Sequence, residues 1–252
     1  MSENGTPDRA VAPKPTKGRW PKQVPELTPK QSEISDDWMK YFHEIYPERF
    51  GAIGRFNQTY PLRTAGSGRR VLEVGAGLGE HLRFEDVANQ EYVALELRPE
   101  MADEIKRSCP QVRTVVGDVQ TRLPFEDDYF DRVLAIQVLE HLVDLPAALD
   151  EIRRILRPGG LVAVVIPCEG GAAYTLGRRL TSQRIFEKRY GTSYLWCIRG
   201  EHVNVPSEIT SELAKRFELQ HRSFFPMKVP SIHVNLCIGL TYRLLEEGGR
   251  EG

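Results

Sequence analysis

The sequence contains few cysteines, no long apolar run and almost no net charge. Its four cysteines, Cys109, Cys168, Cys197 and Cys237, are far apart and form no C-x-x-C pair. This spacing disfavours a zinc site or a redox pair and predicts free thiols in a reducing, cytoplasmic setting. The longest clean apolar run, Leu161–Ile166, is far shorter than the ~20 residues of a membrane helix, so we expect no membrane span.

The charges nearly cancel over the whole chain. Lys and Arg number 34 and Asp and Glu 35, which gives a net charge of −1 over 252 residues. Such a balance leaves no overall electrostatic signal for nucleic acid, so no nucleic-acid partner is expected. The 40% hydrophobic and 27% charged residues are typical of a globular protein and exclude collagen-like, coiled-coil and wholly disordered chains. No charged start followed by an apolar stretch is present, so we expect no secretory signal.

The first part of the chain differs from the rest. Residues 1–30 hold six of the 17 prolines and six basic residues against three acidic ones, which predicts a disordered arm. Residues 31–65 are expected to form a helical cap, with a helix that starts near Ser35 and ends or bends at Pro47. Its apolar stripe is typical of a core or of a subunit contact, which leaves a homodimer or a lid over a ligand site as further interpretations. The stripe consists of Trp38, Phe42 and Ile45.

Strands alternate with helices from residue 70 onwards. Repeated β-α units of this kind predict an α/β fold with a mostly parallel, doubly wound sheet. The expected strands are 70–74, 92–97, 112–116, 130–136 and 161–166, and the helices are 99–108, 146–156 and 207–217. Two last strands, 218–225 and 232–244, are joined by a short loop and should therefore pair antiparallel.

A glycine-rich turn follows the first strand. Gly75, Gly77 and Gly79 alternate, and the pattern predicts a strand, a tight turn and then a helix. The dinucleotide fingerprint needs a further glycine where Glu80 stands, so a pyrophosphate cradle is not matched. Glu73 lies just before the turn, and a carboxylate there suits a ligand with positive charge.

Two more acids follow the next strands. Glu96 at the end of the second strand could accept hydrogen bonds from both hydroxyls of a ribose, and Asp118 after the third could accept from an adenine amine. Ligands bind at the carboxyl ends of strands in open α/β sheets, where these acids are expected to lie. The glycine turn and the acids together predict a nucleoside site.

These motifs, in this order, resemble those of class I S-adenosylmethionine-dependent methyltransferases over residues ~70–245. Further similar motifs are Arg98-Pro99-Glu100-Met101, Gly117-Asp118-Val119, Leu123-Pro124-Phe125 with Phe130-Asp131-Arg132-Val133, and Leu156-Arg157-Pro158-Gly159-Gly160. The resemblance implies a Rossmann-like sheet of seven strands in a methyltransferase domain over 66–245, with S-adenosylmethionine as cofactor. It also implies these cofactor-binding residues: Glu73, Gly75, Gly77, Gly79, Glu96, Leu97, Asp118, Val119 and Gln137.

The residues after the fourth strand are expected to face the acceptor. His141 could serve as the base that accepts the acceptor's proton, with His202 as a second catalytic candidate, or it could be a structural histidine that orders the loop. The spacing of Gln137, Glu140 and His141, with the later His202, is similar to that of small-RNA and catechol-type methyltransferases that bind a divalent metal. Because Gln137 stands where they have glutamate, the sequence predicts no metal.

Residues 168–205 interrupt the β-α alternation and are predicted to be an insert on the acceptor side. Basic and aromatic residues are interleaved there, which indicates either a solvated helix with its own small core or a pocket for an anionic acceptor. The set is Arg178, Arg179, Arg184, Lys188, Arg189 and Arg199 with Tyr174, Phe186, Tyr190, Tyr194 and Trp196.

The insert is similar to that of bacterial methyltransferases associated with polysaccharide clusters. We therefore expect methyl transfer to an O or N atom of a small molecule or glycan-type acceptor, which could be phosphorylated or linked to a nucleotide or lipid. An RNA or protein methyltransferase and a non-catalytic nucleoside-binding module are the alternatives.

Overall fold

The chain forms one mixed sheet with helices on both faces. A computed structural model describes residues 17–49 and 51–245, with side chains for 17–41 and 51–245. The strands are β1 Arg70–Val74, β2 Glu91–Glu96, β3 Arg113–Val116, β4 Phe130–Ile136, β5 Leu156–Pro167, β6 Glu218–Phe225 and β7 Cys237–Arg243. The α-helices are α1 Pro29–Arg49, α2 Gly51–Thr59, α3 Pro99–Ser108, α4 Leu145–Ile155, α5 Ala172–Leu180, α6 Ser182–Tyr190, α7 Leu195–Glu201 and α8 Pro206–Ala214. Two 3₁₀ helices span Tyr60–Thr64 and Leu82–Phe84.

The strand order is β3-β2-β1-β4-β5-β7-β6. The first five strands in this order are parallel, whereas β7 runs antiparallel to both β5 and β6. The expected doubly wound, mostly parallel sheet of seven strands with an antiparallel closing pair is therefore confirmed. The carboxyl ends of β1 to β5 meet at one edge, which is where the candidate site is built.

Both faces of the sheet are buried, as a parallel sheet requires. Leu149 and Ile152 of α4 and Leu213 of α8 belong to the cluster on one face. On the other face, Ile105 of α3 packs with Leu82, and a separate cluster around Tyr60 covers part of β5 and β7. None of the described helices is long and apolar enough to cross a membrane, and the four cysteines are free thiols.

The glycine turn leads into a short 3₁₀ helix, and the α-helix that the sequence predicted after it is absent. Residues 80–90 instead bury polar side chains against the sheet. His81 Nε2 lies 3.2 Å from Glu85 Oε1, and Glu85 accepts two hydrogen bonds from Arg132 on β4. A compact turn allows these ionic contacts to form, and it takes the place of the expected helix.

Helix α1 begins earlier than the sequence predicted and continues beyond Pro47. Thr28 Oγ1 accepts from Gln31 N at 3.3 Å, and Gln31 Oε1 accepts from Thr28 N at 2.9 Å. This reciprocal capping box, with Pro29 in the first turn, fixes the start of the helix.

Strand β7 begins at Cys237, later than the predicted residue 232. The side chain of buried Asn235 donates to Val229 O and Ser231 O and holds residues 226–236 in a loop.

The segment predicted to be a disordered arm is packed in its described part, from residue 17. The buried Lys22 Nζ lies 2.7 Å from Glu208 Oε1, which also accepts from Gly18 N. Trp20 Nε1 donates to Asn204 Oδ1 at 3.2 Å. An ion pair and an aromatic side chain thus attach residues 17–22 of the predicted arm to the domain. Residues 1–16 lie outside the described residues.

Candidate active site

The glycine turn is held against the end of β2 by its own backbone. Gly75 N and Ala76 N both donate to Leu95 O, at 2.8 and 3.1 Å. All three glycines have positive φ angles, of +67°, +59° and +82° for Gly75, Gly77 and Gly79. A Cβ on Gly75 would lie 2.5 Å from Val138 Cγ2, so the turn also approaches the loop after β4 closely. The backbone is thus the surface that a ligand would meet here.

Glu96 is fixed at the end of β2 by the glycine turn. Its Oε2 accepts from Gly77 N at 2.9 Å and its Oε1 from Arg98 N at 3.1 Å. The residue is only 7% exposed, but each carboxylate oxygen has the capacity to accept a further hydrogen bond, as from a ligand's hydroxyls. The next residue, Leu97, is 61% exposed, so an apolar side chain is accessible directly after this strand.

Asp118 follows β3 at the same edge of the sheet. Its carboxylate accepts from the backbone N and the side-chain Nε2 of Gln120, at 2.9 and 3.1 Å. Gln120 Oε1 in turn accepts from Asp144 N at 2.7 Å, so Asp118 is connected to the start of α4. The Val119 side chain is buried in the core, and only its backbone could contact a ligand.

Gln137 lies at the end of β4 in a left-handed conformation, with φ of +56°. Its N donates to Val165 O at 2.8 Å, and its Nε2 lies 3.9 Å from Cys237 Sγ. The side chain therefore contacts β7, and its backbone is the part that could contact a ligand at the sheet edge.

Glu73 does not lie at the surface of the site, contrary to the expectation that it contacts a charged ligand. Its carboxyl is buried and accepts from Tyr92 OH at 2.8 Å. Burial raises the pKa of Glu73 to about 7, against the opposing effects of nearby His81 and the Tyr92 hydrogen bond. Glu73, two residues before the first glycine of the turn, is therefore a structural group inside the fold.

Replacement of Glu73 by Gln is expected to make stability less dependent on pH. An acid whose pKa is about 7 when folded and 4.5 when unfolded contributes stability below pH 4.5 that is lost as the pH rises to 7. Glutamine keeps an acceptor for Tyr92 and has no such titration. We expect Glu73→Gln to gain on the order of 3 kcal/mol over wild type between pH 4.5 and 7 in urea unfolding. The exposed Glu126→Gln is the control, and an unchanged pH profile for Glu73→Gln would contradict this account.

Two histidines that are distant in sequence meet beside the loop after β4. The rings of His141 and His202 are 5.0 Å apart and nearly perpendicular. Val203 N and Asn204 N donate to Glu140 O, while the buried Asn204 side chain donates to Leu139 O and Leu142 O. The segment after α7 is thereby fastened to the loop, and this contact brings the two predicted catalytic candidates together.

Three acids surround the histidine pair. His141 Nδ1 lies 2.9 Å from Glu201 O, and His202 Nδ1 lies 3.1 Å from Glu169 Oε2. Burial raises the pKa of Glu140 to about 7, whereas His141 keeps a partly exposed side chain and its pKa is lowered by the loss of solvent around its ring. Glu169 and Glu201 were not among the residues that the sequence predicted for the site. The available signals were that Glu169 follows β5 closely and that Glu201 precedes His202.

The insert consists of α5 to α7 and shares a core with α1. Trp38 contacts Phe186 and Tyr194, at distances of 5.2 and 5.9 Å between ring centres. This residue of the predicted apolar stripe therefore packs against side chains of the same chain. The side chains of Phe42 and Ile45 lie outside the description. Asp37 of α1 accepts from Arg189 at 3.0 Å. Four of the insert's aromatic residues thus form, with Trp38, a small core like the one that one of the two interpretations predicted, whereas Tyr174 packs against the main core.

One arginine of the insert has a different environment. Arg178 lies 6.0 Å from the centre of the Tyr194 ring. Its Nε and Nη1 atoms are buried and have no hydrogen-bond partner among the described residues. Burial acts to raise the pKa of Glu169, but the hydrogen bond and charge of His202, and to a smaller extent the charge of Arg178, lower it. A half-buried guanidinium with two donor atoms that lack described partners is suited to a carboxylate or phosphate of a ligand.

Comparison with known proteins agrees with this geometry. Residues 72–164 match the family model described as a methyltransferase domain. A TehB-like SAM-dependent methyltransferase from Corynebacterium glutamicum has a similar structure, with a TM-score of 0.57 and 16% identity over 84% of this chain and 99% of that one, which indicates a shared fold. Together with the seven-stranded sheet, these matches support a class I S-adenosylmethionine-dependent methyltransferase.

Curated relatives match parts of the chain. An uncharacterized methyltransferase of Mycobacterium tuberculosis is 33% identical over 46% of this chain and 49% of its own length. A ubiquinone biosynthesis O-methyltransferase of Nitrobacter winogradskyi is 28% identical over 75% of this chain and 74% of its own. In the first of these matches the chain spans about half the length of the relative.

Proposed function

We propose that this chain transfers a methyl group from S-adenosylmethionine to an O or N atom of a small-molecule or glycan-type acceptor that carries an anionic group. The observation that carries the proposal is that the glycine turn, Glu96 and Asp118 lie at one edge of the sheet. His141, which contacts His202, follows strand β4 at the same edge. The relative from Nitrobacter, named as an O-methyltransferase, supports the reaction type. The free thiols support a reducing, cytoplasmic setting.

The residues at the sheet edge fit a nucleoside with an amino acid part. The free acceptor capacity of Glu96 suits the ribose hydroxyls, and the exposed Leu97 side chain suits one face of an adenine ring. Asp118 and the backbone of Val119 would contact the edge of that ring. The turn of Gly75 to Gly79 and the backbone of Gln137 would hold the amino acid part. Bound S-adenosylmethionine supplies a methyl group that its sulfonium already activates.

The chain must also orient the acceptor and provide for removal of the acceptor's proton. Arg178 offers its free donors to an anionic group of the acceptor. His141 and His202 present Nε2 lone pairs, because their Nδ1 atoms face the oxygens of Glu201 and Glu169. Such nitrogens either accept the proton of an acceptor hydroxyl directly or hold a cation that acidifies this hydroxyl.

His141→Ala is expected to lower kcat about 100-fold, because either role of this imidazole is lost. The affinity for S-adenosylhomocysteine should stay within about twofold of wild type, since the cofactor residues are not changed. Steady-state kinetics and calorimetry give the two values. His233→Ala, at an exposed histidine in the loop before β7, is the matched control and should keep wild-type kinetics. Full activity of His141→Ala would remove this residue from the reaction.

A transfer screen tests the proposed acceptor class. Methyl-labelled S-adenosylmethionine is incubated with the full chain and with sugar nucleotides, phenols, amines, RNA or protein, and each fraction is counted. We expect label in an anionic small-molecule fraction. Label in RNA or protein alone would contradict the acceptor class, and binding of S-adenosylhomocysteine without any transfer would favour a non-catalytic module.

A further inference from the structure

Glu140 is an ionisable side chain in a place where it has no hydrogen-bond donor. It is fully buried, and neither carboxylate oxygen has a hydrogen-bond partner among the described residues. The nearest basic nitrogen is His141 Nε2, 3.9 Å from Oε1. A buried carboxylate without hydrogen bonds is costly unless a cation compensates it. While His141 is neutral, no described residue therefore supplies a positive partner for this group.

In each of the two histidines one ring nitrogen is held by an oxygen, which leaves the other nitrogen able to bind a ligand. Glu201 O beside His141 Nδ1 is a carbonyl oxygen and can only accept, so Nδ1 carries the proton and Nε2 has a free lone pair. His202 Nδ1 likewise donates to the carboxylate of Glu169. Histidines that bind metals usually have their second nitrogen held by a carbonyl or carboxylate in this way.

The three donor side chains are close enough to share one ion. One ligand atom from each of Glu140, His141 and His202 lies within 4.8 Å of the other two. We propose that these three residues form a binding site for a divalent transition metal, with positions left open for the acceptor. Two imidazoles and one carboxylate are the ligands of catalytic zinc and non-haem iron sites and suit such ions better than Mg²⁺ or Ca²⁺.

This proposal revises the sequence-based prediction of no metal. That prediction depended on Gln137 as a required ligand position. The Gln137 side chain is instead directed at Cys237 on β7, 3.9 Å from its sulfur, and takes no part in the cluster. Glu140, His141 and His202 offer three ligands without it.

A cation at this site defines how the acceptor is activated. This step rests on the proposed function, because it places the acceptor oxygen in an open position of the metal. A bound divalent ion lowers the pKa of a coordinated hydroxyl, whose proton then passes to solvent, and it holds the oxygen for transfer. His141 and His202 are then ligands, and Glu169 and the carbonyl of Glu201 are positioning groups that orient their rings.

Direct metal titration of the full chain tests the site. Protein stripped with EDTA is titrated with Zn²⁺, Co²⁺ and Mg²⁺ by calorimetry, and the Co²⁺ complex is examined by visible absorption. We expect one Zn²⁺ per chain, no comparable Mg²⁺ binding, and Co²⁺ bands without the sulfur charge transfer of a cysteine ligand. Glu140→Gln and His202→Ala should each weaken Zn²⁺ binding at least 100-fold, and Glu169→Gln about 10- to 100-fold. The control His233→Ala should bind as wild type does.

The outcomes separate this proposal from the proposed function. Binding of S-adenosylhomocysteine shows that each variant is folded. Wild type that binds S-adenosylhomocysteine but no Zn²⁺ or Co²⁺ overturns the metal site alone, as does equal Zn²⁺ affinity of Glu140→Gln, His202→Ala and wild type. If wild type binds Zn²⁺ but not S-adenosylhomocysteine, the proposed metal site stands and the proposed cofactor is overturned. If neither variant folds, the Co²⁺ spectrum of the wild type tests the ligand set instead. A sulfur charge-transfer band would show a cysteine ligand and would overturn the assignment of Glu140, His141 and His202 as the ligands.

Discussion

Gly77→Arg is expected to abolish detectable binding of S-adenosylhomocysteine, a loss of about 100-fold or more in affinity, equivalent to about 2.7 kcal/mol. Gly77 has a φ of +59°, and its N–H donates to Glu96. A Cβ there would already lie 3.1 Å from Glu80 Oε2, and a longer side chain must extend over the turn where the ligand would lie. Calorimetry at matched protein concentrations measures the loss.

The control for this substitution is Gly66→Arg. Gly66 has a similar φ of +77°, and a Cβ there would meet nothing within 4 Å. Both variants therefore incur a backbone strain of roughly 1–2 kcal/mol, but only Gly77 belongs to the proposed cofactor site. We expect Gly66→Arg to bind S-adenosylhomocysteine as wild type does. Normal binding by Gly77→Arg would show that the glycine turn is not the cofactor site.

Glu85→Ala is expected to destabilise the fold by about 3–5 kcal/mol, since it leaves the fully buried Arg132 without its counter-charge. Two nitrogens of Arg132 donate to Glu85, at 2.8 and 3.1 Å, and a third donates to Thr64 Oγ1. Urea unfolding at pH 7 gives the change. Asp103→Ala, which breaks an exposed pair with Lys106, should cost less than about 1 kcal/mol.

The contribution of this carboxylate should disappear in acid. Burial acts to raise the pKa of Glu85, but hydrogen bonds from His81 and Arg132 outweigh it and hold the pKa at about 2. A depressed pKa stabilises the folded state above the ordinary value of 4.5, and this is lost as the pH falls towards 2. The difference between wild type and Glu85→Ala should therefore shrink over that interval. A difference independent of pH would contradict the ionic role.

The sheet could be predicted from the sequence because its signals are local. Strands β1, β4 and β6 and helix α3 have the predicted bounds, since each is an apolar or amphipathic run that ends at glycine, proline or a polar residue. The replacement of the expected α-helix after the glycine turn by a compact turn could not be predicted in this way. It depends on Arg132, which lies on a strand 47 residues beyond its partner Glu85.

The site was only partly predictable for the same reason. Glu96 and Asp118 follow strands, so their place at the sheet edge comes directly from the β-α pattern. The meeting of His141 with His202 depends on Asn204, whose buried amide fastens two distant segments. The burial of Glu73 depends on Tyr92 across the neighbouring strand. Such long-range polar contacts leave no periodic pattern in the sequence.

The most direct test of the proposed activity is the conversion of S-adenosylmethionine into S-adenosylhomocysteine by the full chain, with the acceptors of the transfer screen and with product and methylated acceptor quantified together. We predict that wild type forms both in equal amounts with an anionic small-molecule acceptor, and that Gly77→Arg forms neither. Wild-type protein that binds S-adenosylhomocysteine but forms none of it from S-adenosylmethionine with any acceptor would contradict the proposal that this chain is an active methyltransferase.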